Sequence, residues 1–333
     1  MIHNQQKTQA VGVNINVHET TCAVVDIRGD ILGQSSFATS DYQFIGDYVS
    51  VLTEQIMQLA EANGGYEQIR SVGISVPSGN FRTGCIENSP SLPWKGVVPL
   101  AAMLRDQLGL AVALANNAHV IALGEQAFGA AHGMRDFVVI SLSSGLGSCI
   151  YCNGLAHLGA DGFAGEVGHS CIIPNGRECG CGKHGCLEAY TASYGIVQTA
   201  MELMAESSEP SLMRQEEQLT PAIITQLCEQ GDALAIETYR RAGYILGMGL
   251  ANYASVVNPE AFIFTGSVSK AGHWLLEPAS ESFEQHVFHN LQGKVKLIPS
   301  TIDDEVRNVL GASVLAWEVK EYSLFKRRVN SEE

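Results

Sequence analysis

The sequence predicts an α/β fold made of two similar domains. Short apolar β-rich runs alternate with stretches whose apolar residues recur at helical spacing. Meander-like pairs of strands open the pattern near Ala10 and again near Phe137. The 333 residues are 46% hydrophobic and only 17% charged, with 34 glycines; ordinary domains carry ~25% charged residues and ~7% glycine. That length suits about two domains, each with ample core.

In chain order, Val11–Val17 and Thr20–Val25 read as strands joined by a polar turn, with a second turn at Arg28-Gly29-Asp30. Ile45–Ala62 carries Val49, Leu52, Ile56 and Leu59 at helical spacing. Ser71–Val76 is a buried strand ended by Pro77-Ser78-Gly79. Asn80–Gly96 is turn-rich, with Pro90 and Pro93 excluding a helix interior. Ala111–Ala115 reads as a strand and His119–Ala131 as a helix. Phe137–Leu142 and Gly147–Cys152 are strands around Ser143-Ser144-Gly145. Between Met204 and Thr220 the composition turns acidic and aperiodic, which reads as a helix end and an exposed connection. Pro221–Cys228 and Ala233–Val257 are helices, Ala261–Phe264 and Val295–Ile298 strands, and Glu305–Tyr322 a closing helix.

Composition excludes several function classes. Lys plus Arg number 20 and Asp plus Glu 35, a net charge of −15, which disfavours nucleic acid and anionic membrane surfaces as partners. The basic run Lys326-Arg327-Arg328 is too short to alter this. Met1–Gln9 is polar and holds no signal-type apolar stretch, and no run reaches the ~18 apolar residues of a membrane span; the expected location is cytoplasmic. Nine cysteines form an odd set. Cys22, Cys149, Cys152, Cys171 and Cys228 read as reduced core thiols, whereas Cys179, Cys181 and Cys186 are crowded together.

That crowding is the sharpest chemical signal. His169 precedes Cys179-Gly180-Cys181 and Cys186, with glycines at 176, 180, 182 and 185 letting the chain fold around a small centre. Three thiolates and an imidazole make a closed Cys₃His set, the arrangement of a structural Zn²⁺ without an open position for water. Glu166 stands three residues before His169, and Glu188 follows the cysteines. Carboxylates fixed there suit sugar hydroxyls, and equally suit loop capping or support of the metal's ligands. Ser143-Ser144-Gly145-Leu146-Gly147 and Thr265-Gly266-Ser267 follow apolar strands; such turns present N–H groups to phosphate, and are also what an ordinary strand-to-strand turn looks like.

Together GFAGEVGH (162–169), CGCGKHGCLE (179–188), SLSSGLGS (141–148), ENSPSLPWKG (87–96), ANNAHVIALGE (115–125) and NPEAFIFTGSVSKAG (258–272) resemble the ROK family of repressors and sugar kinases, in the family's order and over nearly the whole chain. The resemblance implies two RNase H-like domains of the actin-like ATPase and hexokinase type, with a sugar site in the cleft between them. Residues 1–118 with 305–333 would form the smaller domain, and 119–304 the larger one with the zinc knot. It implies that His169 both ligates zinc and contacts the sugar. Asn116, Asn117, Glu166, Glu188, Gly79 and Ser91 fall at sugar-site positions, and Ser144, Gly145, Gly266 and Ser267 at nucleotide positions. A homodimer or homotetramer is the implied assembly.

The departures from the family pattern are more informative. Family kinases carry Asn-Asp where this chain has Asn116-Asn117, and that Asp is the general base; an amide does not take the proton. No Asp or Glu stands between Asp106 and Glu125 to replace it. The Asp-x-Gly-Gly-Thr-Lys phosphate hairpin is here Asn14-Ile15-Asn16-Val17-His18-Glu19. It loses a carboxylate for Mg²⁺ and two glycines that let the backbone approach phosphate, and it gains a repelling carboxylate. Ser144 replaces a Thr, Ser267 a Gly, and Ser91 an Asn. These changes predict a sugar-binding sensor that has lost phosphoryl transfer. The family's repressors carry an added N-terminal helix-turn-helix, and only about ten residues precede the first strand here, so no DNA-reading helix is expected. The alternative is an ATP/Mg²⁺-dependent hexose or N-acetylhexosamine kinase with weak or unusual catalysis.

Overall fold

A computed structural model describes residues 7–319. The chain divides into two compact units: residues up to Phe128 together with those from Ile302 on, and Gly129–Thr301.

The first unit begins with β1 (Gln9–Ile15), β2 (Glu19–Asp26) and β3 (Ile31–Ala38), followed by α1 (Ile45–Ala62) and β4 (Ile69–Ser75). The turn-rich stretch forms three short strands, β5 (Gly79–Asn80), β6 (Cys85–Glu87) and β7 (Val97–Val98), in a sheet of their own. Then come α2 (Leu100–Leu108), β8 (Ala111–Ala115) and α3 (Asn117–Phe128). The main sheet runs β3-β2-β1-β4-β8: an antiparallel meander to which β4 and β8 add in parallel. Parallel addition needs a crossover, which the helices supply. One face of the sheet packs Val11, Val13, Val72 and Ile74 against Val49, Leu52 and Ile56 of α1. The second unit repeats this order. The strands β9 (Phe137–Leu142), β10 (Leu146–Cys152) and β11 (Leu155–Ala156) form the meander, and the helices α4 (Glu188–Thr191), α5 (Ser193–Glu206), α6 (Pro221–Glu229) and α7 (Ala233–Val257) follow. After them β12 (Ala261–Thr265) adds parallel to β9, and beyond α8 (His273–His286) β13 (Lys296–Pro299) adds parallel to β12. The two meander-like starts in the sequence are the openings of two sheets of the same topology.

The helix α9 (Arg307–Glu318) returns to the first unit. The expected helix to Tyr322 runs past Val319, so its last residues lie outside the described residues, as does the run at 326–328. α9 lies so close over the central strands that a Cβ on Gly73 would overlap the Ala312 carbonyl, and one on Gly12 the Val309 carbonyl. Backbone against backbone leaves no flexible side chain to give way. Gly73→Ala is therefore expected to cost about 3 kcal/mol, the upper end for overpacking, read as a lowered midpoint in urea unfolding; an unchanged midpoint overturns the account.

Pattern reading missed α2, α4 and α8, and gave only the end of α5, near Met204. α8 carries Pro278 in its interior, a residue that argues against a helix when read from sequence. Cys171 and Cys152 are corrections. Cys171 is exposed and Cys152 half-buried, whereas Cys22, Cys149 and Cys228 are buried as expected. Among the described residues no helix is long and apolar enough to cross a membrane.

Candidate functional site

Two clusters of chemistry-bearing residues form, one in each unit.

In the first unit β4 and β8 run parallel, with Ser75 opposite Ala115. Their ends bring Ser75, Asn116 and Asn117 together at the start of α3. Asn116 Oδ1 accepts from the His119 N–H at 2.8 Å, a side-chain cap on the first turn of the helix. Asn117 Oδ1 accepts from the buried Ser75 hydroxyl at 3.1 Å. Both amide oxygens are thus engaged by the protein, and each amide keeps its NH₂ as donor. Gly79 belongs here: a Cβ on it would stand 2.8 Å from the Ala115 carbonyl. His119, which sequence reasoning passed over, is buried with its ring edge-on to Phe81 at 5.5 Å. Burial pushes its pKa down to about 4, so it is a weak proton acceptor at neutral pH. Ser91 is exposed, with its hydroxyl 3.3 Å from that of buried Ser89.

The β1–β2 turn is closed by its own side chains. Asn16 Oδ1 accepts from the backbone N–H groups of His18 at 2.9 Å and Glu19 at 2.8 Å. Asn14 Oδ1 accepts from Asn308 Nδ2 of α9 at 3.0 Å. The Glu19 carboxylate accepts from the Ser36 hydroxyl at 2.9 Å. Two backbone donors at the tip are therefore spent on a side-chain carbonyl, and a negative charge stands where the family pattern has a lysine.

In the second unit His169, Cys179, Cys181 and Cys186 place one ligand atom each, all within 4.8 Å of one another. Cys179 Sγ lies 3.7 Å from His169 Nδ1, and Cys181 Sγ lies 3.7 Å from Cys186 Sγ. A tetrahedron with bonds of about 2.3 Å to sulfur and about 2.0 Å to nitrogen has edges of about 3.5–3.8 Å, so these residues fit a tetrahedral metal through Nδ1. Burial, with the neighbouring thiols, holds Cys186 up at about 12; a divalent cation is what converts such a thiol to thiolate at neutral pH.

Glu188 joins this knot to the glycine turn. Its Oε2 accepts from the Leu146 N–H at 2.8 Å, and its Oε1 lies 3.6 Å from Cys179 Sγ and 3.4 Å from the Tyr194 hydroxyl. Gly145 makes the approach possible, since a Cβ there would stand 2.7 Å from Glu188 Oε2. Glu166 lies exposed beside both. Partial desolvation raises its pKa, the nearby His169 lowers it and Glu188 raises it again. Its loop is held by Ser148, whose hydroxyl donates to the Gly165 carbonyl and accepts from the Val167 N–H at 3.2 Å. Gly266 packs on the first turn, where a Cβ would meet Ser143 Oγ at 2.6 Å, and Ser267 begins the short 3₁₀ turn that follows. Ser144 heads the same glycine turn between β9 and β10.

Comparison with known proteins places nearly the whole chain in one family. The chain is 30% identical over 321 residues to a glucokinase of Halalkalibacterium halodurans, covering 93% of this chain and 94% of that one. It is 26% identical to the xylose repressor of Bacillus subtilis, over 91% of this chain and 75% of the repressor. The crystal structure of a ROK family glucokinase from Streptomyces griseus in complex with glucose and AMPPNP matches with a TM-score of 0.76 at 28% identity, covering 93% of this chain and 100% of that one. The ROK family profile matches residues 10–319, and the chain belongs to the ROK family.

Proposed function

We propose that this chain is a non-catalytic sugar receptor of the ROK fold, with two RNase H-like domains and a structural zinc. The observation that carries the reading is Asn117, an amide at the family's general-base position, with its oxygen already accepting from Ser75. The closed β1–β2 turn supports it independently: Asn16 takes the donors that a phosphate needs, and Glu19 repels one. The residues offered to a sugar are Asn116 and Asn117, with Gly79 and Ser91, in the first unit, and Glu166, His169 and Glu188 in the second. Asn117 then serves as a hydrogen-bond donor to a hydroxyl that it does not deprotonate.

The glucokinase relatives favour a second reading, a weak ATP/Mg²⁺-dependent hexose or N-acetylhexosamine kinase working through Ser144, Gly145, Gly266 and Ser267. Thermal shift separates the two. A sugar at 100 times its Kd stabilises the native state by about 2.7 kcal/mol, which raises Tm by roughly 5–10 °C for units of this size. The receptor reading expects that rise with a hexose or N-acetylhexosamine and no further rise with Mg-ATP. A Mg-ATP shift that grows in the presence of sugar overturns it in favour of the kinase.

A further inference from the structure

Cys171 is a thiol that neither the metal cluster nor the sugar reading uses. It is exposed, and its backbone forms a single antiparallel bridge with Cys186. The flanking hydrogen bonds run from the Ile172 N–H to the Gly185 carbonyl at 2.8 Å and from the Leu187 N–H to the Ser170 carbonyl at 3.0 Å. The bonds therefore flank the Cys171–Cys186 pair and do not join it. This is the closer of the two antiparallel pairings, with Cα atoms about 4.5 Å apart and side chains on one face. That spacing falls inside the ~4.4–6.8 Å window for a disulfide. The Cys171 sulfur lies over this strand, 3.3 Å from where a Cβ on Gly185 would be. Cys186 is buried and belongs to the Cys₃His set.

We propose that Cys171 is an oxidative modification site, at which a peroxide drives a Cys171–Cys186 disulfide that withdraws Cys186 from the metal. The metal half of this rests on the structural-zinc reading above; the thiol pairing does not. The Cys171 sulfur attacks one peroxide oxygen, the O–O bond breaks, and a sulfenic acid forms as one oxygen leaves as water. The Cys186 thiolate then attacks the sulfenic sulfur, the S–O bond breaks and hydroxide departs. One thiol, one thiolate and one hydrogen peroxide give one disulfide, one water and one hydroxide; two sulfurs are oxidised by one electron each and the peroxide is reduced by two. His169, Cys179 and Cys181 remain, and three ligands hold zinc more weakly than a closed set of four.

The test uses the full chain loaded with zinc and titrated with hydrogen peroxide. Released zinc is followed with a chromogenic chelator, and cross-linked peptides are mapped by mass. The expected result is zinc release together with a Cys171–Cys186 linked peptide, both reversed by dithiothreitol and added zinc. Cys171→Ser is expected to slow release by about tenfold or more, since the exposed attacking thiol is gone, while Cys85→Ser leaves the rate unchanged. Equal release from Cys171→Ser and the parent chain overturns the proposal, as does a map whose disulfides join only Cys179, Cys181 and Cys186. A purified chain without bound zinc overturns the metal-release half and the zinc reading beneath it, and the mapped linkage then decides the pairing alone.

Discussion

Asn117→Asp alone is expected to leave sugar-dependent ADP production at background. The same substitution combined with Asn14→Asp, Asn16→Gly, Val17→Gly and Glu19→Lys is expected to create it. A carboxylate at 117 meets a ready environment: the Ser75 hydroxyl that donates to Asn117 Oδ1 donates as well to a carboxylate oxygen, so the base needs no rearrangement. Proton removal by a positioned base contributes about 10²–10⁴ in rate. That factor multiplies only complexes in which the phosphates are bound. With Asn16 on the His18 and Glu19 N–H groups and a carboxylate at 19, triphosphate finds spent donors and a like charge. Removing the Asn16 side chain frees both N–H groups, and Glu19→Lys changes repulsion to attraction, worth about 4 kcal/mol per unit-charge pair at 4 Å near a protein surface. Coupled measurement of ADP with each partial variant gives the interaction between the two repairs. A gain of 10² or more from Asn117→Asp by itself would show the phosphate site to be working, and the receptor reading would fall to the kinase.

What the sequence disclosed and what it hid follow from the range of the forces involved. The Cys₃His set was readable because its members lie within one short stretch of chain and metal ligation restricts residue type. The missing base and the altered hairpin were readable for the same reason, as substitutions inside compact motifs. The partners of those residues were not. Ser75 reaches Asn117 through strand pairing, and Asn308 reaches Asn14 from the far end of the chain. Glu188 was evenly balanced between sugar contact and loop support; its bond to the Leu146 N–H shows the support, and sugar contact stays a proposal. Cys171 was misplaced because an apolar neighbourhood in sequence, Cys171-Ile172-Ile173, reads as core, whereas the thiol stands at the surface of the knot. The helix α8 was hidden by an interior proline and α2 by a short apolar pattern, while the long regular pattern of α7 was plain.

On the structural-zinc proposal, stripping the metal from the Cys₃His set is expected to lower Tm by roughly 8–16 °C, the shift that a loss of about 4 kcal/mol produces in a unit of this size. Structural zinc in small peptides supplies about 10–16 kcal/mol, and the remainder is retained because the segment has other anchors. Cys179 and Cys186 pack with Ala189, Tyr190, Ile172, Ile173 and Ile245. Arg177 lies over the Tyr190 ring at 4.8 Å and donates to the Ala189 and Gly195 carbonyls and to Thr199. Lys183 is the weak point: it is exposed, with its Nζ donating to the His169 carbonyl at 2.8 Å. Trypsin should therefore cut after Lys183 in the stripped chain well before it cuts after Arg177, and readdition of zinc should suppress both cuts. The consequence reaches Glu188, which follows the last cysteine by two residues and holds the Leu146 N–H of the glycine turn. Loosening the knot should free that turn, so any sugar-induced stabilisation should shrink along with Tm. A chain whose zinc has been removed, as verified by atomic emission, yet which keeps its Tm and its resistance at Lys183, would show that packing and Arg177 alone hold the segment and that the metal contributes nothing to the fold.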